Sequence, residues 1–378
     1  MANAEPSGRA DVRYAPQRPV LLYVVPRSST FIQRDVAGSS AQYDVRVHEL
    51  LKGPKWMLPV RLMGQFAWLL AHRAWRRDII CHFSGYHAVL PALIGRRCML
   101  ILAGSDCASI PSIGYGNHAR TLLGWATRFA VRHATRLLPV HASLMERDQT
   151  YSDIVPVAQG IKAFVPDLTT PWTEIPYGFD TSFWTPDGAI ERDQHRFICV
   201  SGPAAPGDRV HLLKGVDLLL SIAERLPQAR FTIVGLADPL AYDPHPPNME
   251  FIGRVDPEAL RTMLRTSSFY TQLSLSEGMP NALCEAMLCG CVPLVSNVAS
   301  MPDIVGEHGS VLERRDIDLG VQACLDLLTL PANKRNTRSI GARRSIVERF
   351  PMQRRMERLL SVLNPHDQQW TPPDGSTT

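Results

Sequence analysis

Residues 269–293 read FYTQLSLSEGMPNALCEAMLCGCVP, and this stretch decides the fold. It begins with an apolar run over 269–273, passes through a polar loop and continues into a helical pattern that starts at Pro280. Proline is favoured in the first turn of a helix, because its missing N–H would have no partner there. A second apolar run follows at 292–296. A strand, a helix and a strand in this order predict a parallel sheet covered by helices.

The same alternation extends outward through the whole chain. In the first half, strands are predicted at 19–25, 43–48, 78–83, 99–103, 136–139 and 154–156, with helices at 31–39, 58–76 and 122–134. In the second half, strands are predicted at 196–201, 230–234, 249–252, 269–273 and 292–296, with helices at 216–226, 281–288, 318–328 and 338–363. The chain therefore belongs to the α/β class, with two Rossmann-like, doubly wound parallel sheets.

The alternation is interrupted once, at 175–180, and a loop-rich stretch over 181–194 follows. We place the domain boundary there, which gives a first domain of residues 1–185 and a second of 186–350. Residues 351–378 form a closing helix, expected to pack toward the first domain, and a tail. The tail after Pro365 and residues 1–17 lack apolar periodicity and are expected to be disordered. Ligands of open α/β sheets bind beyond the carboxyl ends of the strands, so the cleft between the two domains is the predicted site.

Composition narrows the class of protein further. The chain is 45% hydrophobic and 20% charged, with a net charge of +4, and no apolar run reaches the roughly 20 residues that span a bilayer. Its eight cysteines lie mostly in apolar runs, as reduced thiols do. We therefore expect a cytoplasmic protein, either free or peripheral on the inner face of the membrane, with no nucleic-acid partner. The pair Cys289 and Cys291 lacks a second ligand pair, so no metal site is predicted.

Two carboxylates flank the predicted helix start in the opening stretch. Glu277 lies in the loop, and Glu285 lies about one turn into the helix. The free amides of a helix N-terminus favour anions, and carboxylates accept hydrogen bonds from hydroxyls. The combination suits a ligand that bears both hydroxyls and phosphate. The alternative is a favourable charge at a helix N-terminus plus a solvated surface glutamate.

Two cations precede this loop by about 65 residues. Arg209 and Lys214 lie between a strand with a Gly/Pro-rich loop at 202–207 and the start of a helix. Such a position allows arginine to bind a diphosphate with its two-pronged guanidinium and lysine to bind it as a point charge. Two surface cations without a ligand are the alternative. Neither a GxxxxGK[ST] nor a GxGxxG pattern is present, which argues against an NTPase or a dehydrogenase.

The cations, the two glutamates and their order resemble the retaining GT-B glycosyltransferases of family four. The resemblance extends to FTIVG at 231–235, FIG at 251–253 and EAMLCGCVP at 285–293. It implies transfer of a sugar from a UDP-, GDP- or ADP-sugar without metal or cofactor, to a glycan or lipid-linked acceptor. It also implies donor contacts at Gly202, Arg209, Lys214, Gly235, Gly253, Gly278, Met279, Pro280, Asn281, Ala282, Leu283 and Glu285. In this family scheme Glu277 faces the transferred sugar, Glu285 holds the ribose, and Arg209 and Lys214 hold the diphosphate.

The acceptor side is less regular. Ser29 and Thr30 lie where relatives often carry paired glycines, and Ala103 stands where a histidine is often found. Asp106 is therefore the predicted acceptor-side catalytic residue, with His87 as a substitute or as an ordinary packed histidine. Retention would let the leaving diphosphate take the acceptor proton, whereas inversion would need a positioned base. A nucleotide-sugar hydrolase, epimerase or phosphorylase, or a non-catalytic binding module, are the rival interpretations.

Two further patterns bear on metals and membranes. Asp316 and Asp318 form a DxD sequence of the kind that binds metal in another glycosyltransferase fold, but Asp316 is placed to cap a helix. The stretches 55–77 and 122–138 combine tryptophans and other apolar residues with arginines. Such helices can lie on an anionic membrane surface, or they can simply cover the sheet with their arginine stems at its edge.

Overall fold

The fold is taken from a computed structural model, which describes residues 18–363 apart from the side chain of Lys55. The disorder expected for residues 1–17 and for the tail after Pro365 lies outside the described residues.

The first domain is built on a five-stranded sheet in the order β2-β1-β3-β4-β5, and all its strands are parallel. Its strands are β1 (Val20–Val25), β2 (Asp44–Glu49), β3 (Asp78–His82), β4 (Arg97–Leu102) and β5 (Arg136–Pro139). Its helices are α1 (Thr30–Ser39), α2 (Leu58–Ala71), α3 (Tyr86–Ile94), α4 (Thr121–His133) and α5 (Ile161–Phe164). The central strands are buried on both faces, which is why they read as unbroken apolar runs.

Between the two sheets in the sequence lies a short antiparallel pair of strands, β6 (Arg147–Asp148) with β7 (Ala158–Gln159). The second sheet has six parallel strands in the order β10-β9-β8-β11-β12-β13. They are β8 (Asp193–Val200), β9 (Arg230–Leu236), β10 (Met249–Gly253), β11 (Ser267–Gln272), β12 (Val292–Ser296) and β13 (Ser310–Leu312). Their helices are α6 (Arg209–Leu213), α7 (Val216–Glu224), α8 (Pro257–Thr266), α9 (Asn281–Leu288), α10 (Met301–Val305), α11 (Ile317–Leu328) and α12 (Ala332–Arg349). The two predicted parallel-sheet domains are confirmed.

The last described helix, α13 (Met352–Leu363), packs on the first domain as predicted. Arg355 is buried, and its Nε and Nη2 donate to the two carboxylate oxygens of Asp35 on α1, at 2.6 and 2.5 Å. Its Nη1 donates to the carbonyls of Ile175 and Pro176, at 3.0 and 2.8 Å. One side chain thus holds the last described helix, the first helix and the interdomain linker together.

Three predicted elements differ from the structure. The predicted strand at 154–156 is wrong, because Ile154 is exposed and Pro156 has no N–H to donate to a neighbouring strand. The predicted helix 58–76 ends at Ala71, since Arg73 adopts a left-handed conformation with φ of 52° before a short turn buries Ala74.

The predicted final helix is two helices rather than one. Pro351 cannot supply a helical hydrogen bond, and its predecessor Phe350 leaves the helical region with ψ of 38° at φ of −131°. The chain therefore turns between α12 and α13, which lets α13 reach the first domain.

Within residues 18–363, no helix combines the length and the apolar character needed to cross a membrane. In the same range, no group of three or more histidine, cysteine or acidic side chains is arranged to hold a metal ion.

Candidate active site

The loop between β11 and α9 reaches across the cleft and touches the first domain. A Cβ added to Gly278 would lie 1.9 Å from the carbonyl oxygen of Ala103, a distance that no side chain could tolerate. Gly104 mirrors this approach, because its added Cβ would lie 3.1 Å from the amide nitrogen of Gly278, and its φ is +141°. Glycine is therefore required on both sides of this contact between the domains.

Glu277 is the most heavily hydrogen-bonded side chain of this loop. Its Oε1 accepts from the Lys214 ammonium at 2.6 Å, from the Gln272 amide at 2.6 Å and from the Ser274 hydroxyl at 2.7 Å. The carboxylate is only 10% exposed. Three donors on one oxygen fix the orientation of the carboxylate.

The local fold explains why Lys214 arrives there. Lys214 ends α6, and Gly215 follows it with φ of +67°. A Cβ on Gly215 would lie 2.2 Å from the carbonyl oxygen of Leu273, so the turn after α6 presses directly against the end of β11. The amide of Leu275 also donates to the carbonyl of Leu213, at 2.8 Å. The structure therefore brings together two residues that lie 63 positions apart in the sequence.

Arg209 lies at the rim of the cleft rather than beside Glu277. It is the first residue of α6, whose N-cap Asp208 accepts the amide of His211 at 2.7 Å. Its guanidinium is exposed and donates to the carbonyl of Gly114 in the first domain, at 3.2 Å. Arg209 thus faces the cleft from the second domain while it contacts a loop of the first.

Glu285 faces α1 of the first domain. Its carboxylate lies 3.6 Å from the guanidinium of Arg34 and is 10% exposed. Burial raises the pKa of Glu285 to about 7, and the charge of Arg34 acts in the opposite direction. The two glutamates therefore have different cations, Lys214 for Glu277 and Arg34 for Glu285.

The other residues predicted to contact a donor occupy the carboxyl ends of the second sheet. Gly202 follows β8 and Gly235 lies near the end of the neighbouring strand β9, and a Cβ on Gly235 would lie 3.1 Å from the amide nitrogen of Gly202. Gly253 ends β10, and its added Cβ would make only an ordinary contact with Pro239, at 3.7 Å. These positions leave the backbone accessible at the edge where ligands of such sheets bind.

Around the start of α9, the predicted residues divide between the cleft and the core. Pro280 precedes the helix as its N-cap, and the buried Oδ1 of Asn281 has no hydrogen-bond partner among residues 18–363. Ala282 is half-buried, whereas the side chain of Leu283 is fully buried in the core. The Met279 sulfur accepts the amide of Tyr177 in the linker, at 3.2 Å.

Asp106 does not face the cleft as an acceptor-side residue would. It is fully buried, and its carboxylate accepts the amides of Ser84, Gly104 and Ala103 at 3.0, 2.9 and 3.1 Å. Burial raises its pKa, and these backbone N–H groups act in the opposite direction. In this structure Asp106 holds the loop that meets Gly278, because both of its oxygens are occupied by backbone amides.

His87 is also buried, and its Nε2 lies 2.9 Å from the carbonyl oxygen of His82. Burial lowers the pKa of His87 to about 4, so the ring is neutral at pH 7. It lines a cavity of about 240 Å³ at the carboxyl ends of the first sheet, together with Phe83, Asn117 and Leu123.

The two remaining acceptor-side predictions lie at the start of α1. Ser29 is its N-cap residue, and its hydroxyl is buried without a hydrogen-bond partner among the described residues. Thr30 begins the helix. Asp316 caps α11 by accepting the amide of Leu319 at 2.9 Å, which confirms that the DxD sequence begins a helix.

Three residues near the cleft were not predicted from the sequence. Tyr115 lies close to Ser276 and Glu277, and its pKa is raised by burial and then by the Glu277 charge. Arg147 joins the domains by donating to Asn297 Oδ1 at 2.7 Å and to the carbonyl of Ala299. Arg34 reaches Glu285 from α1. No sequence motif identifies these three residues, because their contacts depend on how the two domains pack against each other.

Comparison with known proteins agrees with this arrangement. Residues 206–330, which include Lys214, Glu277 and Glu285, match a family model described as glycosyl transferases group 1. A 70-residue segment is 33% identical to the O-antigen chain mannosyltransferase B of Escherichia coli. That segment covers 18% of this chain and 18% of the length of the relative.

Solved structures match over nearly the whole chain. Sucrose-phosphate synthase from Thermosynechococcus elongatus aligns with a TM-score of 0.69 at 15% identity, covering 93% of this chain and 99% of that one. HepE of Anabaena, solved with UDP-glucose, aligns with a TM-score of 0.64 at 13% identity, covering 92% and 99%. The chain therefore has the GT-B fold of these structures, and residues 206–330 of its second domain match the glycosyl transferases group 1 family.

Proposed function

We propose that this protein is a glycosyltransferase that moves a sugar, with retention, from a nucleoside-diphosphate sugar to a glycan or lipid-linked acceptor. The observation that carries the proposal is the ion pair between Lys214 and Glu277, 2.6 Å apart at the carboxyl edge of the second sheet. It lies inside the segment that matches the glycosyl transferases group 1 model.

The chemistry follows from the charges around this pair. Departure of a nucleoside diphosphate concentrates negative charge on its phosphates, and cations fixed beforehand stabilise that charge without reorganisation. Lys214 and Arg209 supply two such cations from the two ends of α6. Glu277, held at one oxygen by three donors, would orient the sugar hydroxyls. In this proposal the leaving diphosphate takes the acceptor proton as the new glycosidic bond forms on the same face, and no metal is required.

The comparisons favour a donor class and an acceptor class. The structural match to HepE, which was solved with UDP-glucose, favours a nucleotide-sugar donor and leaves UDP, GDP and ADP as carriers. The short match to an O-antigen mannosyltransferase favours a polysaccharide or its lipid-linked precursor as acceptor. The cavity beside His87, at the carboxyl ends of the first sheet, is the proposed place for that acceptor.

A turnover assay tests the proposal. The purified protein is incubated with UDP-, GDP- and ADP-sugars, with and without lipid and polysaccharide extract, and nucleoside diphosphate release is followed. We expect one carrier class to react and its release to depend on the extract. Equal release without extract would indicate a hydrolase, and no release from any donor under either condition would contradict the transferase proposal.

The first domain also presents a surface that fits a membrane. Apolar side chains are exposed along the segment 55–77, which also carries exposed arginines, and at the start of α4. The exposed fractions are 77% for Trp56, 73% for Met63, 49% for Trp75, 72% for Leu122 and 55% for Trp125. Apolar side chains surrounded by arginines are typical of helices that lie on anionic lipid. In this proposal the protein works peripherally on the inner face of the membrane, where a lipid-linked acceptor would be located.

Vesicle binding tests this surface. Replacing both Trp56 and Met63 with serine should lower partition onto anionic vesicles by about tenfold or more, because each exposed apolar side chain contributes roughly 1–2 kcal/mol on burial in lipid. Ile340→Ser is the matched control, since Ile340 is 58% exposed on α12 of the second domain. Co-sedimentation that shows no dependence on anionic lipid, or an equal effect of both changes, would contradict the membrane surface.

A further inference from the structure

Glu285 has an unusual environment for a buried carboxylate. Its nearest described cation is Arg34 of the first domain, at 3.6 Å, which is too long for a good hydrogen bond. A buried carboxylate is costly unless it is paired and hydrogen-bonded. The group is therefore poised to accept hydrogen bonds from a ligand while a cation from the opposite domain compensates its charge.

The position of Arg34 is fixed by its neighbour in the sequence. Asp35 is buried and is held by both Nε and Nη2 of Arg355, while its Oδ2 also accepts the hydroxyl of Tyr23 at 3.2 Å. This anchor fixes α1 relative to the linker, since Arg355 also binds the carbonyls of Ile175 and Pro176. Arg34 thus projects toward Glu285 from a helix whose position is fixed, and its side chain is 27% exposed.

We propose that Arg34 is a positioning residue of the nucleotide site, contributed by the first domain, which holds Glu285 ionised and oriented for the ribose hydroxyls of the nucleoside diphosphate. This inference rests on the proposed donor site and deepens it. Ionisation matters because a carboxylate can accept hydrogen bonds from both ribose hydroxyls. A protonated acid carries a donor O–H on one oxygen and therefore accepts less well. Burial raises the pKa of Glu285 to about 7 even with Arg34 beside it, so loss of this cation would shift the carboxyl further toward its protonated form.

The geometry has a second consequence. Arg34 reaches Glu285 only when the first domain lies against the second, as it does at Gly104 and Gly278. A ligand that needs ionised Glu285 binds this closed arrangement better than an open one, so its binding favours closure.

Titration calorimetry with UDP, GDP and ADP tests the inference. We expect Arg34→Met to bind the preferred diphosphate about tenfold more weakly than the wild type. Arg34→Lys should recover part of the loss, because it keeps the charge. Arg34→Gln, which keeps polarity and most of the length, should behave like Arg34→Met. Arg46→Met is the matched control, since Arg46 pairs with Asp44 at 2.6 Å on the edge strand of the same domain.

A double-mutant cycle separates an action through Glu285 from a general effect on α1. In a Glu285→Gln background, Arg34→Met should cause little further loss, because the charge it compensates is gone. Additive losses, or wild-type affinity in Arg34→Met and Arg34→Gln, would overturn the inference. Failure of the wild-type protein to bind any of the three diphosphates would instead contradict the proposed donor site itself.

Discussion

Lys214→Met is expected to lower kcat/KM for the nucleotide-sugar donor by about 10²- to 10³-fold, the usual effect of removing one preorganised group that stabilises transition-state charge. Lys214 donates to Glu277 at 2.6 Å and faces the cleft from the end of α6. The change removes one of the two cations proposed to bind the diphosphate and leaves Glu277 with only Gln272 and Ser274 as described donors. Steady-state kinetics with the donor identified by the turnover panel measures the effect.

The loss should appear mainly in kcat, because the extra charge on the diphosphate develops as the sugar–phosphate bond breaks. Lys162→Met is the matched control, since Lys162 pairs with Glu146 at 3.0 Å on the surface of the first domain. We expect that control to retain wild-type activity. Activity of Lys214→Met within a few-fold of the wild type would remove Lys214 from the proposed chemistry.

Arg355→Met is expected to lower the free energy of unfolding by about 3–5 kcal/mol, the usual cost of breaking a buried ion pair from one side. The change leaves the buried Asp35 carboxyl beside Tyr23 without its guanidinium partner. It also removes the donor for two linker carbonyls. Urea denaturation monitored by tryptophan fluorescence measures the change.

A control variant and a double variant test whether the loss comes from the Arg355–Asp35 pair. Arg354→Met changes the exposed neighbour on the same helix and should have little effect on unfolding. Replacing Asp35 with asparagine in the Arg355→Met protein should restore part of the lost stability, because a neutral amide is less costly to bury without a partner than a carboxyl group that ionises. A loss below about 1 kcal/mol for Arg355→Met, typical of a surface ion pair, would show that the pair does not hold the C-terminal helix to the first domain.

The central parallel strands could be predicted because they are buried on both faces and therefore leave plain apolar runs in the sequence. Lys214 and Glu277 could be placed in one site for a similar reason. Both follow strands of one sheet, and the carboxyl ends of parallel strands share an edge. The pairing of Glu285 with Arg34 had no such signal, since it depends on the relative position of two domains.

On the acceptor side, the sequence did not predict the environment of Asp106. Asp106 follows a strand, as Glu277 does, and the family resemblance predicted an acceptor-side role for it. Its carboxylate instead accepts three backbone amides of its own sheet edge. Whether a polar side chain after a strand binds the loop or a ligand depends on the loop geometry, which the residue types do not specify.

Calorimetric titration of the wild-type protein with UDP, GDP and ADP, and with the matching monophosphates, tests the central claim most directly. If Lys214, Arg209 and Glu285 form a nucleoside-diphosphate site, one diphosphate will bind at least about tenfold more tightly than its monophosphate, since the cations contact the second phosphate. Equal affinity for the two, or no binding of any nucleotide, would contradict it.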